Sequence, residues 1–99
     1  MVISKAAASG TLESSDARVV VEPSQNGIEL DVSSSVAQQF LRQIRKVILE
    51  TLERLGVEDI RIQVEDRGAL DCTLKARVEC AVFRAAEYEG KVNWGGSVR

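Results

Sequence analysis

Gly10-Thr11-Leu12-Glu13-Ser14-Ser15-Asp16 is the stretch of this 99-residue chain best equipped for covalent chemistry. It sets two adjacent hydroxyls between carboxylates, just ahead of a segment that reads as a strand. What the hydroxyls can do is limited by what the chain lacks. There is no His, so the commonest general base and the commonest metal ligand near neutral pH are missing. Neither Ser14 nor Ser15 can then be a triad nucleophile by itself. An exposed serine can still be an attachment point, modified by another enzyme. The plainer reading stands beside it: a loop whose Ser and Asp side chains bond to nearby backbone groups.

Other candidate groups are weaker. Glu29, Asp31, Glu58, Asp59, Glu65 and Asp66 fall on outward strand faces or turns, where a solvated surface accounts for them. Asp71, Cys72 and Cys80 supply too few ligands for zinc, which takes four Cys/His groups or three with an open position, so no metal site is expected. Cys72 near a helix start fits a lowered thiol pKa, and equally a small half-buried helix residue. On one helix the two cysteines lie roughly 12 Å apart along the axis, beyond disulfide reach, and both read as reduced thiols. Glycines 10, 27, 56, 68 and 90 are isolated and build no phosphate loop. No residue is assigned a catalytic role.

Composition narrows the class further. The chain has 13 basic and 15 acidic residues and a formal charge of −2. A nucleic-acid binder working through a broad basic face is excluded, because such binding rests on Lys and Arg displacing counterions from phosphates. No run approaches the ~20 apolar residues of a membrane span, and Met1 to Ala8 lacks the apolar segment of a secretory signal. These features predict a small acidic protein of the cytoplasm.

The elements that must position the serines follow from periodicity. Ala17 to Val21 is rich in β-branched residues and stops at Pro23, which cannot donate to a ladder. Ser24-Gln25-Asn26-Gly27 is turn chemistry, and Ile28 to Val32 alternates strictly, so the two strands are expected to pair as a hairpin. From Ser35 to Leu55 an apolar stripe at Val36, Phe40, Leu41, Ile44, Val47, Ile48, Leu52 and Leu55 predicts a helix. Ser35 and Gln38 form a candidate capping box, and Gly56 stands where a left-handed C-cap belongs. Ile60 to Glu65 alternates as a third strand, and Leu70, Leu74, Val78, Ala81, Val82 and Ala85 predict a second helix through about Tyr88. The expected fold is α+β, a small ββαβα sandwich with its helices packed on one face of a short sheet. Phe40, Ile44, Val47 and Ile48 should bury against Ile28, Leu30, Ile60, Ile62 and Val64. Residues 1–16 are expected to form an attachment loop or weak strand, 17–88 the core and 89–99 a flexible tail. If Ala6 to Leu12 extends, Glu13 to Asp16 becomes a four-residue hairpin connection that exposes Ser14.

Three stretches together carry a resemblance: Gly10-Thr-Leu-Glu-Ser-Ser-Asp16, Ser34-Ser-Val-Ala-Gln-Gln-Phe40 and Gly68-Ala-Leu-Asp-Cys-Thr-Leu-Lys-Ala-Arg77. In their order and spacing the chain resembles the acyl carrier protein, or gamma chain, of citrate lyase, from Ala6 to about Glu87. The resemblance implies a non-catalytic carrier in a three-subunit complex of bacterial citrate fermentation. The alpha subunit, an acyl transferase, exchanges acetyl for citryl on the carrier's thiol. The beta subunit, a citryl lyase, releases oxaloacetate and restores the acetyl form. The thiol belongs to a 2′-(5″-phosphoribosyl)-3′-dephospho-coenzyme A group that a prosthetic-group transferase joins to a serine through a phosphodiester. That serine follows Leu-Glu, which here gives Ser14, with Glu13 and Asp16 as candidate flanking residues for partner docking. At the position of Ser15 family members often have Gly or another small residue.

The implied role agrees with the residues, since chemistry carried on a cofactor arm needs no catalytic side chains from the carrier. Two other readings remain. The malonate decarboxylase small subunit bears the same kind of group, although the Gly68 to Arg77 match favours citrate lyase. A scaffold subunit without modification would use the fold for binding alone.

Overall fold

The computed structural model describes residues 2–34 and 40–86. It contains β1 (Ala7–Gly10), β2 (Ala17–Glu22), β3 (Ile28–Ser34), α1 (Leu41–Arg54), β4 (Ile60–Asp66) and α2 (Asp71–Ala85). The strands form one sheet in the order β1-β2-β4-β3. β1 and β2 are antiparallel, β2 and β4 are antiparallel, and β3 runs parallel to β4. The α+β architecture is the expected one, with β1 added at the sheet edge from the segment read as a loop or weak strand.

Period-two alternation decides which face is covered. Along β4, Ile60, Ile62, Val64 and Asp66 are buried while the residues between them are exposed. Along β2, Ala17, Val19 and Val21 are buried, with Arg18 exposed and Val20 half-buried between them. Against this layer pack Ile44, Val47, Ile48 and Leu52 of α1 and Leu74, Val78, Ala81, Val82 and Ala85 of α2. Each large side chain buried this way stabilises by about 1.5–3 kcal/mol.

The expected hairpin between the second and third strands does not form. β4 lies between them, pairing Val19 with Val64 on one side and Val32 with Val64 on the other. The Ser24 to Gly27 turn is real, with Gly27 at φ +79°. Its partner, however, is the entry to β4: the Gly27 N–H donates to Asp59 Oδ1 at 3.0 Å, and the Ile60 N–H donates to the Gly27 carbonyl at 3.1 Å.

Two core assignments are corrected as well. Phe40 is 50% exposed because it sits ahead of α1 as its N-cap, and Ile28 is 38% exposed because it opens a strand at the sheet edge. α1 starts at Leu41, and the candidate box of Ser35 and Gln38 lies outside the described residues. α2 stops at Ala85, so Tyr88 and the 89–99 tail lie outside them too. The end of α1 is as expected. Gly56 at φ +71° donates to the Glu53 carbonyl and Val57 to that of Leu52, both at 3.0 Å. This is the Schellman arrangement, with Val57 buried beneath it.

Candidate functional site

The segment carrying Ser14 is the connection between β1 and β2, six residues from Thr11 to Asp16. It is two residues longer than expected because β1 ends at Gly10. The reason is steric: Gly10 has φ +88°, and a Cβ there would stand 1.8 Å from the Ala17 carbonyl oxygen. Only glycine closes the two strands so tightly. The chain then turns through Glu13-Ser14-Ser15-Asp16, with the Asp16 N–H donating to the Glu13 carbonyl at 3.2 Å. Ser15, the third residue of this turn, has φ +65°. A positive φ there is the mark of a type II turn, whose third position favours Gly. Ser14 occupies the second position, exposed, with no hydrogen-bond partner among the described residues.

What holds the tip is Asp16. Arg77, near the middle of α2 and 61 positions further along the chain, grips it with both arms of its guanidinium, Nε to Oδ1 at 2.9 Å and Nη2 to Oδ2 at 3.0 Å. The Thr11 hydroxyl donates to Oδ2 at 2.6 Å and the Ala17 N–H to Oδ1 at 2.7 Å. The Asp16 side chain is 13% exposed. The Arg77 guanidinium first, then the Thr11 hydroxyl and the Ala17 amide, hold its carboxyl well below the usual carboxylate range, against the opposing effect of burial. Asp16 in turn raises Arg77. A paired, bidentate contact of this kind is among the stronger polar contacts in proteins.

A second fastening comes from the end of β4. The Ser15 N–H donates to the Arg67 carbonyl at 2.8 Å, and the Arg67 N–H donates to the Asp16 carbonyl at 2.9 Å. Asp66, read from the sequence as a solvated carboxylate, is 2% exposed. It accepts from Ser34 Oγ at 2.9 Å, the Gly68 N–H at 3.1 Å and the Ala69 N–H at 3.0 Å. It therefore fixes the bend from β4 into α2 that brings Arg67 and Arg77 to the tip. A strand-ending Asp followed by Arg-Gly was the available signal; its burial was not legible.

The structure thus separates the three expected site residues. Ser14 and Glu13 are exposed on the tip, whereas the Asp16 carboxylate is committed to four donors that order the loop. Thr11, Arg67 and Arg77 were not singled out as site residues, although Arg77 closes one of the matched stretches. Cys72 is exposed and Cys80 half-buried, both free on α2. Among the described residues no three His, Cys, Asp or Glu side chains converge as metal ligands, and no helix is long and apolar enough to cross a membrane.

An exposed hydroxyl on a tethered turn, with no acid–base group aimed at it among the described residues, fits a carrier subunit better than a catalyst. Comparison with known proteins makes the class specific. Residues 4–85 match the acyl carrier protein family described as malonate decarboxylase delta subunit (MdcD). The citrate lyase acyl carrier protein of Streptococcus uberis is 50% identical over 94 residues, 95% of this chain and 92% of that one. That of Fusobacterium nucleatum is 52% identical over 88 residues, 88% and 94% of the two chains. A chain from a Pseudomonas malonate decarboxylase hetero-tetramer solved with malonate superposes with a TM-score of 0.69 at 25% identity, covering 82% of this chain and 84% of that one. This chain belongs to the citrate lyase acyl carrier protein family. Its role is that of a carrier subunit and not of a catalyst acting alone.

Proposed function

We propose that Ser14 bears a 2′-(5″-phosphoribosyl)-3′-dephospho-coenzyme A arm through a phosphodiester, and that the chain presents this arm to the alpha and beta subunits of citrate lyase in the cytoplasm. The observation that carries the proposal is the contrast within one loop. The Ser14 hydroxyl is exposed and unpartnered, while the two residues that follow it are fastened twice, Ser15 and Asp16 to Arg67 through the backbone and Asp16 to Arg77 through side chains. When attached, the arm supplies the thiol on which an acyl group travels. The protein's own part is to keep one hydroxyl accessible, to hold its turn in a single conformation for the prosthetic-group transferase, and to keep the arm's root away from the core. Glu13, exposed on the same tip, remains available to steer an encounter, whereas Asp16 does not.

Peptide mass mapping after co-expression with the transferase and a supply of arm precursor tests the site. Modification should be present in wild type and in Ser15→Ala and absent in Ser14→Ala. Loss in Ser15→Ala with retention in Ser14→Ala would move the site by one residue. A malonate decarboxylase role is the second reading, favoured by the matched family's description and by the superposed chain. The 50% identity to a citrate lyase carrier against 25% to that chain weighs for citrate. Activity of the modified chain with citrate lyase subunits, set against activity with malonate decarboxylase subunits, separates the two.

A further inference from the structure

The two edges of the sheet are finished differently. β1 has four residues, and Arg84 of α2 reaches over to donate to the Ala8 carbonyl at 2.7 Å. β3 has seven residues, pairs with β4 from Ile28 to Ser34, and has no strand on its other side among the described residues. It contains no proline and no lysine, two of the usual means of closing an edge. Its side chains are divided. Ile28, Leu30 and Val32 lie on the helix side, exposed or half-buried, so apolar surface is left uncovered there. Glu29, Asp31 and Ser33 lie on the bare side of the sheet.

That bare side is acidic. Its charged residues are Glu22, Glu29, Asp31 and Glu65 against Arg18 and Arg61. Glu29 is engaged by Ser24 Oγ at 2.6 Å and by Arg61 at 3.6 Å. Asp31 has no partner among the described residues. Beside it opens a hollow of about 470 Å³ lined by Arg18, Val20, Asp31, Ser33, Gln63 and Glu65, space enough for long side chains arriving from beyond the edge.

Charge decides between occupants. A second copy paired antiparallel through the middle of β3, helices on the same side, sets Asp31 against Asp31 or Glu29 against Asp31. Like charges directly opposite are destabilising. A strand from another chain, with apolar residues on one face and Lys or Arg on the other, meets Ile28, Leu30 and Val32 with the first and Asp31 with the second, while its backbone satisfies the free edge. We propose that β3 is the docking edge for such a strand, contributed by a partner subunit of the carrier's complex. The proposal rests on the carrier reading only for the identity of that partner.

The test co-expresses the full chain with the acyl-transferase and lyase subunits and compares amide hydrogen exchange at residues 28–34 in the free chain and in the purified assembly. Protection should rise at least tenfold on assembly. Asp31→Lys should weaken association about tenfold, Asp31→Asn should do so less, and Glu50→Lys on the exposed side of α1 should not. Unchanged β3 exchange in an intact assembly overturns the proposal and leaves the carrier reading standing. So does wild-type association by Asp31→Lys. A concentration-dependent dimer of the isolated chain with β3 protected names a second copy as the occupant and also overturns it. Protected β3 with a Ser14 left unmodified when the prosthetic-group transferase and arm precursor are supplied as well supports the edge and counts against the carrier reading. A wild-type chain that joins neither subunit overturns both.

Discussion

Arg77 and Asp16 should be strongly coupled, and the coupling can be sized from the structure. A hydrogen bond to a charged group contributes about 1.5–3 kcal/mol net. Here two of them share one carboxylate, but the Arg77 side chain is 38% exposed, and solvent screening lowers the figure. We expect a coupling of about 1–2 kcal/mol at pH 7 in a double-mutant cycle of Asp16→Asn, Arg77→Gln and the pair, read by urea unfolding. The pH dependence has a definite sign. The Asp16 carboxyl is held far below the usual range in the folded chain, chiefly by Arg77. The unfolded state therefore binds the proton more readily, so this stabilisation is complete above the unfolded pKa of about 4 and is lost as pH falls through the folded one. The coupling should stay nearly whole at pH 4 and shrink only in more acid solution. In Arg77→Gln the Ser15 amide should exchange faster, and Ser14 modification should show a raised KM with a smaller change in kcat, because the hydroxyl is intact but its turn is less often in place. A coupling under about 0.3 kcal/mol, within the error of additivity, or one that disappears by pH 4, would refute the clamp.

Two predictions concern the backbone of the same loop. Ser15→Gly should stabilise the chain by about 0.5–1 kcal/mol, because relief of the left-handed strain at φ +65° outweighs the extra freedom glycine gives the unfolded chain. Equal or lower stability by chemical denaturation would contradict that conformation. Gly10→Ala should cost at least about 2 kcal/mol, since its Cβ would meet the Ala17 carbonyl at a φ that alanine adopts poorly. A wild-type melting curve for this variant would mean that β1 does not close on β2 as described.

Periodicity read well wherever one face of an element is buried. Ile60, Ile62 and Val64, the stripe from Ile44 to Leu52, and the Gly56 cap all stand as the pattern required. It failed on strand order, for a physical reason. Alternation records which side of a strand faces the core and nothing about which strand lies beside it. Pairing 17–22 with 28–34 directly, or through β4, buries the same residues. The turn at Asn26-Gly27 suggested direct pairing because local chemistry is all that a turn displays. The contact that reversed it, Gly27 to Asp59, joins residues 32 positions apart. Arg77 escaped notice likewise: an arginine on a helix surface is ordinary until topology sets it against Asp16, 61 positions away.

The unread strand order is also what builds the site. Because β4 sits against β2, its last residue, Asp66, is in register with Ala17, the first residue after the Ser14 loop. The bend fixed by the buried Asp66 carboxylate then delivers the Arg67 backbone to Ser15 and Asp16, and α2 starts close enough for Arg77 to reach the tip. A hairpin of 17–22 with 28–34 would place β3 beside β2. A loop after β3, not the β4 to α2 bend, would then adjoin Ala17, leaving Asp16 without its guanidinium and Ser15 without its carbonyl. Accessibility of the serine needed no particular topology, since any loose loop provides it. A fixed direction for whatever is attached there did need one, and the insertion of β4 supplies it.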